Sequence, residues 1–254
     1  MKYGDIVMDR IHLMMPMAGG GVRFEKEGFE IPKPLIQIAE KPFFYWAVRS
    51  VTKYVEIADL ICIVLKEHVK KYHIDVIIKK YFPNVEIIVI DHILNGAVLT
   101  CLEGVKTIQD DMPILINDCD HAFICNEFYE FCRRGKFNET DGALLTFLSS
   151  DPAYSYALIN MGNRVLQTVE KEVISDQAIC GAYYFKNAGK FIDATRKYIG
   201  NCQYEEFFIS GIYNTMIQDN YCIKAFRVDK HISFGTPMEY MDASQRTEEF
   251  EEWS

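Results

Sequence analysis

Through the first 150 residues, short apolar runs take turns with stretches in which apolar side chains recur every three or four positions. The runs IHLMMP (11–16), DLICIVL (59–65), VEIIVI (85–90), PILIN (113–117) and GALLTFL (142–148) read as buried strands. Between them, Phe43, Phe44, Ala47, Val48 and Val51 line one helix face, and Ala97, Cys101, Val105 and Ile108 line another. Such alternation is the signature of βαβ units and predicts an α/β fold around a mixed, mostly parallel central sheet. Beyond residue 150 the pattern changes. YSYALINMGNRVLQTVE reads as two strands joined at Gly162-Asn163, and AICGAYYFK as a third. Helical periodicity returns over 188–199 and 205–219, followed by a strand over 221–227 and a final acidic helix. No linker, repeat or low-complexity tract divides the chain. A single domain over 1–254 is therefore expected, its later part covering the carboxyl edge of the sheet where α/β proteins form ligand sites.

Composition narrows the classes. Of the 254 residues 49% are apolar, enough for a substantial core. The net charge is −9 and the basic residues are scattered, which argues against nucleic acid as a partner. No apolar run approaches the ~20 residues of a membrane span, so no membrane insertion is expected. The eight cysteines (Cys62, Cys101, Cys119, Cys125, Cys132, Cys180, Cys202, Cys222) lie mostly in apolar runs, form no C-x-x-C pair and follow no signal peptide. They are expected to be reduced thiols of a cytoplasmic protein. Cys119, His121, Cys125 and Cys132 come nearest to a metal cluster but lack paired ligand spacing.

The concentrated chemistry lies in PMAGGGVRFEKEGFEIPKPL (16–35), a glycine run directly after the first strand. A dinucleotide turn needs G-x-G-x-x-G opening a helix, whereas Gly19, Gly20 and Gly21 are consecutive; a P-loop needs Gly-Lys-Ser/Thr, which is missing. What remains is a loop whose backbone N–H groups can approach phosphate oxygens, with Arg23 beside it and Lys33 set between Pro32 and Pro34. Backbone donors and two cations suit the charge that develops in phosphoryl transfer.

These residues resemble the signature of the sugar-phosphate nucleotidyltransferases, A-G-(G)-x-G-Ser/Thr-Arg-Phe/Leu followed by Pro-Lys-Pro-Leu. Here it reads Ala18-Gly19-Gly20-Gly21-Val22-Arg23-Phe24 and Pro32-Lys33-Pro34-Leu35. The resemblance continues through NGAVLT (95–100), NDCD (117–120), VEKEVISDQAICGAYYF (169–185) and FGTPMEY (234–240), and spans about 11–241. It implies a Rossmann-like nucleotidyltransferase fold, with about 11–150 binding the nucleotide and about 151–241 the acceptor. It further implies a Mg²⁺-dependent reaction in which an acceptor phosphate attacks an NTP and expels pyrophosphate. Carried over by position, Arg23, Lys33 and Lys171 would be catalytic. Met17, Ala18, Gly19, Gly20, Gly21, Val22, Asn95, Gly96, Ala97 and Asp118 would contact the nucleotide. Glu170, Lys171, Ser175, Asp176, Tyr183 and Glu206 would meet the acceptor, with Tyr154, Tyr156 and Phe207 as aromatic neighbours; Asp120 would bind the metal.

Two positions depart from the family pattern. Val22 stands where a phosphate-binding hydroxyl is usual, and Phe234 where a second metal aspartate is usual, leaving Asp229 as the nearby candidate. His121, beside Asp120, would touch substrate or cap a following helix. The closest branch is that of capsule and surface-polysaccharide loci, which includes cytidylyltransferases acting on sugar phosphates and on acceptors such as phosphoglutamine. CTP is accordingly the preferred nucleotide, with UTP and dTTP as alternatives, and a homo-oligomer is compatible with the chain. Two competing readings stay open. Asp118-Cys119-Asp120 is also the Asp-x-Asp of nucleotide-sugar glycosyltransferases, and a non-catalytic nucleotide-binding homologue would tolerate Val22 and Phe234.

Overall fold

A computed structural model of the protein describes residues 10–254. β1 (Ile11–Met17) leads through the glycine loop into the short α1 (Val22–Lys26), then a small hairpin of β2 (Gln37–Ile38) and β3 (Lys41–Pro42), and α2 (Phe43–Thr52). β4 (Ile57–Leu65), α3 (Lys66–Tyr72), α4 (Ile74–Tyr81), β5 (Glu86–Ile90), α5 (Ala97–Val105) and β6 (Ile114–Asn117) complete the βαβ half. β7 (His121–Ile124), α6 (Asn126–Arg133), β8 (Gly142–Leu148), β9 (Ser155–Ile159), β10 (Val165–Glu170) and β11 (Gln177–Phe185) follow. The chain ends with α7 (Ala188–Asn201), α8 (Ile209–Gln218), β12 (Ile223–Arg227), β13 (Lys230–Ser233) and α9 (Pro237–Ser244), then a 3₁₀ segment Thr247–Trp253.

Nine strands form one mixed, mostly parallel sheet with the order β10-β9-β11-β6-β1-β4-β5, β8 and β12 extending from β11. β1, β4, β5, β6, β8, β9 and β12 point one way, and β10 and β11 the other. Both parts of the chain therefore share a single sheet. Alternation decides which face each side chain enters. Leu13, Met15, Cys62 and Val64 join the core under α2, whereas Met14, Ile61 and Ile63 join the opposite core with Val98 and Cys101 of α5. A third cluster packs Phe24, Phe43 and Phe234 against Phe250 and Trp253. All eight cysteines are free thiols, and no helix among the described residues is long and apolar enough to cross a membrane.

The strands and helix faces expected from periodicity are found within a few residues. The helix expected over 205–219 begins only at Ile209, because the preceding segment seats its backbone on Gly96. The final acidic helix is divided into α9 and the 3₁₀ segment. β7 and β13, four residues each, pair as a separate antiparallel ribbon that periodicity does not reveal.

Candidate active site

The glycine loop follows the carboxyl end of β1. Gly21 adopts φ +63°, which favours glycine, and its carbonyl accepts from the Phe24 amide at 3.0 Å. Phe24 is buried and anchors the turn, leaving Arg23 exposed toward the cavity. Pro32 caps a single 3₁₀ turn, Lys33–Leu35, in which Pro34 and Leu35 are buried and Lys33 lines the cavity. Facing this, β6 ends in Asn117, whose amide donates to the Ala47 carbonyl at 3.0 Å, and the chain turns through Asp118 and Asp120.

Two glycines from distant segments make room for that turn. β11 is bulged around Gly181, at φ +90°, where a Cβ would stand 2.7 Å from Asp118 Oδ2. A Cβ on Gly235 would stand 2.6 Å from Asp120 Oδ2 and 3.5 Å from Glu239 Oε2. Any larger residue would push these carboxylates out of place.

Together these segments enclose a cavity of ≈ 390 Å³ lined by Met17, Gly19, Gly21, Val22, Arg23, Lys33, Asp118 and Asp120. It adjoins a larger one of ≈ 730 Å³, and Arg23, Asp118, Asp120 and Gly235 border both. Such a pair of spaces suits two substrates whose reacting groups meet at the aspartate turn.

Lys33 Nζ donates to Asp120 Oδ2. Burial pulls the Lys33 ammonium downward, but Asp120, together with Cys119 and Asp118, more than compensates, and the Lys33 pKa ends above the ordinary lysine value. Burial acts against the Asp120 carboxylate too, and Lys33, helped by His121 and a backbone N–H of the turn, keeps that pKa below the ordinary value. Asp118 goes the other way, pushed up to about 8 by burial and by Asp120. The negative charge of the turn is thus concentrated on Asp120.

Behind the turn, burial pushes His121 down to about 4 and His231 down to about 3, His121 adding to the latter. Asp120 favours the charged form of both, Glu239 that of His121, and Lys33 disfavours that of His121; burial prevails. Each imidazole is neutral when folded and protonates near pH ~6.5 when unfolded. The stability this contributes is present above pH ~6.5 and is lost as pH falls toward 4 and then 3, at up to ~1.4 kcal/mol per pH unit for each group. The urea midpoint of chelator-treated protein should therefore fall between pH 7 and pH 4.5, and His231→Gln should flatten that slope by about one proton's worth.

The larger cavity holds a residue that sequence reasoning did not assign. Thr236 caps α9 by accepting from the Glu239 amide at 3.2 Å, and Thr-x-x-Glu is the spacing of a capping box. The Glu239 carboxylate instead accepts from the Tyr154 hydroxyl and, at 2.7 Å, from the Ser233 hydroxyl, with both residues bordering the same cavity. Glu170 borders the same cavity, accepting from the hydroxyls of Ser155 and Ser210, the latter at 3.0 Å, and Tyr183 is buried at the wall.

Other expected residues stand elsewhere. Asp229 borders neither cavity; it accepts from the Asn126 amide at 2.7 Å and lines a separate recess with Glu127 and Arg227. The β13 strand intervenes between Asp229 and Phe234, which is fully buried against Phe43 with centroids 4.6 Å apart. Ser175 donates to the Ala157 carbonyl of β9 at 2.8 Å, and Asp176 accepts from the side-chain amide of its neighbour Gln177 at 2.8 Å; neither lines the cavity. Tyr156 is core, its hydroxyl donating to the Asp151 carbonyl. Lys171 is exposed in a left-handed turn, its ammonium 5.0 Å from the centroid of Phe208, which does border the cavity. Glu206 is exposed on the loop before α8. His121 opens β7 and borders the larger cavity instead of capping a helix.

Of the expected nucleotide contacts, Gly20 packs toward Ile93 and Ala18 is buried. Asn95 donates to the Glu205 carbonyl at 3.1 Å, Gly96 adopts φ +91° against the Phe207 backbone, and Ala97 reaches the larger cavity. Segment 94–97 is thereby fixed to the 205–207 loop, which carries Phe207 partly buried.

No curated protein sequence matches the chain. Among solved structures it is similar to the nucleoside-diphosphate-sugar pyrophosphorylase from Vibrio cholerae RC9, with 23% identity, a TM-score of 0.80 and coverage of 92% of this chain and 99% of that one. It is also similar to a putative glucose-1-phosphate thymidylyltransferase from Bacillus anthracis (17% identity, TM-score 0.75, 94% and 95% covered). The inositol-1-phosphate CTP transferase from T. maritima has the same fold (12% identity, TM-score 0.71, 95% and 97% covered). The family model described as nucleotidyl transferase matches residues 15–249, from within β1 into the last 3₁₀ segment, and the chain belongs to that family.

Proposed function

We propose that this nucleotidyltransferase moves a nucleotidyl group from an NTP to the phosphate of a small phosphorylated acceptor, a sugar phosphate or a related molecule such as phosphoglutamine. The observation that carries this reading is the meeting of the two cavities at Arg23, Asp118 and Asp120. The triphosphate would lie along the glycine loop in the smaller cavity, and the acceptor would enter through the larger one. An acceptor phosphate oxygen forms the new bond to the α-phosphorus while the α–β bridging bond breaks, and pyrophosphate leaves with the electron pair. Arg23 would meet charge on the leaving group and Lys33 would shift from Asp120 to the α-phosphate, as a compact point charge can.

The oxygen donors of Asp118, Asp120 and Glu239 suit a hard cation such as Mg²⁺, and Gly181 and Gly235 leave the space their carboxylates need. When bound, that ion would neutralise negative charge on the triphosphate. Val22 is largely exposed at the loop, so triphosphate binding there would rest on backbone groups and Arg23.

CTP is the proposed nucleotide, with a role in capsule or surface-polysaccharide synthesis; a fold shared with a CTP transferase is consistent with this, and UTP and dTTP are the alternatives. A glycosyltransferase would use the same aspartates but leave Arg23 and Lys33, which border the same cavity, without a task. The deciding experiment screens four NTPs against phosphorylated acceptors by pyrophosphate release. Release only with an acceptor supports the proposal; sugar transfer from a nucleotide-sugar, or binding without turnover, overturns it. Each charged hydrogen bond lost is worth ~1.5–3 kcal/mol. Arg23→Ala and Lys33→Ala should therefore each lower turnover at least ~tenfold with the melting temperature nearly unchanged.

A further inference from the structure

Behind the aspartate turn, the β7–β13 ribbon and β11 bring together three side chains that the reaction above does not use. His231 pairs with Phe123 in the ribbon register and Ser233 with His121, so the two imidazoles lie on one face of the ribbon, ring centroids 5.5 Å apart. Cys180 of β11 completes the group: one ligand atom from each of His121, Cys180 and His231 lies within 4.8 Å of the others. His121 is 2% exposed and Cys180 6%.

The hydrogen bonding of this cluster is incomplete. Among the described residues, neither ring nitrogen of His121 has a partner in good geometry, the Gly181 backbone making only a loose approach, and His231 Nε2 has none. Buried polar atoms left this way are costly and rare in native proteins, so such a cluster calls for something that satisfies it. Phe123 stacks on His121 at 5.6 Å and Phe147 lies 4.2 Å from His231, which gives the group apolar walls and restricts the rings. On the remaining side His121, Cys180 and His231 all border the larger cavity.

We propose that His121, His231 and Cys180 form a three-ligand site for a divalent ion of the zinc class, distinct from the carboxylate site, with its fourth coordination position facing the larger cavity. Two imidazoles and a thiolate are borderline-to-soft donors that suit zinc and not Mg²⁺, whereas Asp118, Asp120 and Glu239 offer only hard oxygens. Bonds of ~2.1 Å to nitrogen and ~2.3 Å to sulfur place tetrahedral ligand atoms roughly 3.4–3.7 Å apart, so binding would draw the side chains together by about 1 Å. Imidazole ligates in its neutral form, so binding should strengthen as pH rises through the acidic range. The thiol, whose pKa burial holds high, would release its proton to solvent as the metal binds. The fourth position would be taken by water or by an anionic group of a molecule in the cavity. The site is independent of the proposed transfer reaction.

The test uses the full chain, stripped with chelator and titrated with Co²⁺ in excess Mg²⁺. One Co²⁺ should bind per chain, with tetrahedral absorption and a thiolate-to-cobalt charge-transfer band, both bleached by Zn²⁺. Cys180→Ala should abolish the charge-transfer band, and His231→Gln should weaken Co²⁺ binding by roughly tenfold or more. Asp120→Asn should leave the spectrum unchanged. Absence of a thiolate band in the wild-type protein, its survival in Cys180→Ala, or its loss in Asp120→Asn overturns the proposal. Should Cys180→Ala fail to fold, unaltered Co²⁺ affinity in His231→Gln does so.

Discussion

Asp120→Asn should lower turnover by about 10²–10³-fold while leaving the protein folded. The size follows from what the carboxylate does: it carries the concentrated negative charge of the turn, is paired with Lys33, and stands where both cavities meet. Removing one preorganised electrostatic group from such a centre typically costs that much. Asparagine keeps the shape, so the Gly235 gap stays filled as before. Lys33 is a quarter exposed and can be rehydrated, and the loss of stability should stay near ~1 kcal/mol or below. Pyrophosphate release measures the first quantity and urea unfolding the second. Near-wild-type turnover in Asp120→Asn, with Asp118→Asn inactive, would move the centre of the chemistry to Asp118, two residues earlier in the turn.

Gly96→Ala should be the most damaging of the conservative changes for stability. At φ +91° an L side chain is strained, at a cost of order 1–3 kcal/mol. The added Cβ would also stand 2.5, 2.6 and 2.9 Å from the Phe207 O, N and C atoms, backbone that cannot swing aside. A total of about 3 kcal/mol would lower the melting temperature by roughly 6–12 °C in a chain of this size. Gly19→Ala is the matched control. Among the described residues nothing lies within 4 Å of its missing Cβ, yet Gly19 borders the smaller cavity. It should melt like the wild type and raise the KM for NTP. Equal melting temperatures for the two variants would show that the 94–97 segment is not fixed to the 205–207 loop as described.

The parts legible in the sequence are those whose physics is local. β1 and β4 announce themselves because both faces of each are buried, and the glycine loop because positive φ at Gly21 and the two prolines around Lys33 leave few alternatives. What escaped depends on distant partners. Glu239 looks like half of a capping box, and nothing near it in sequence says that Tyr154 will claim its carboxylate. Asp229 lies five residues before Phe234, but β13 puts a strand between them and gives the aspartate to Asn126. Cys180, His121 and His231 have no metal-ligand spacing, since a ribbon register and a bulged strand bring them together. Ser175 and Asp176 belong to a segment that resembles an acceptor site, but Ser175 bonds the β9 backbone and Asp176 the side chain of its neighbour Gln177.

The aromatic contacts around the glycine loop bear on how the protein is made. Phe24 meets Tyr240 edge-on at 6.3 Å, and Phe43 meets Phe234 and Tyr240 at 4.6 and 5.8 Å, so the wall of the smaller cavity joins segments about 200 residues apart. A ribosome releases the glycine loop early and the α9 segment near the end of the described chain. Until that segment emerges, Phe24 and Phe43 lack their cover and Asp120 lacks the Gly235 backdrop. A nascent chain can build the parallel half of the sheet while its phosphate chemistry is still unformed, and the long loop that must close before these rings meet makes this corner a late step in folding.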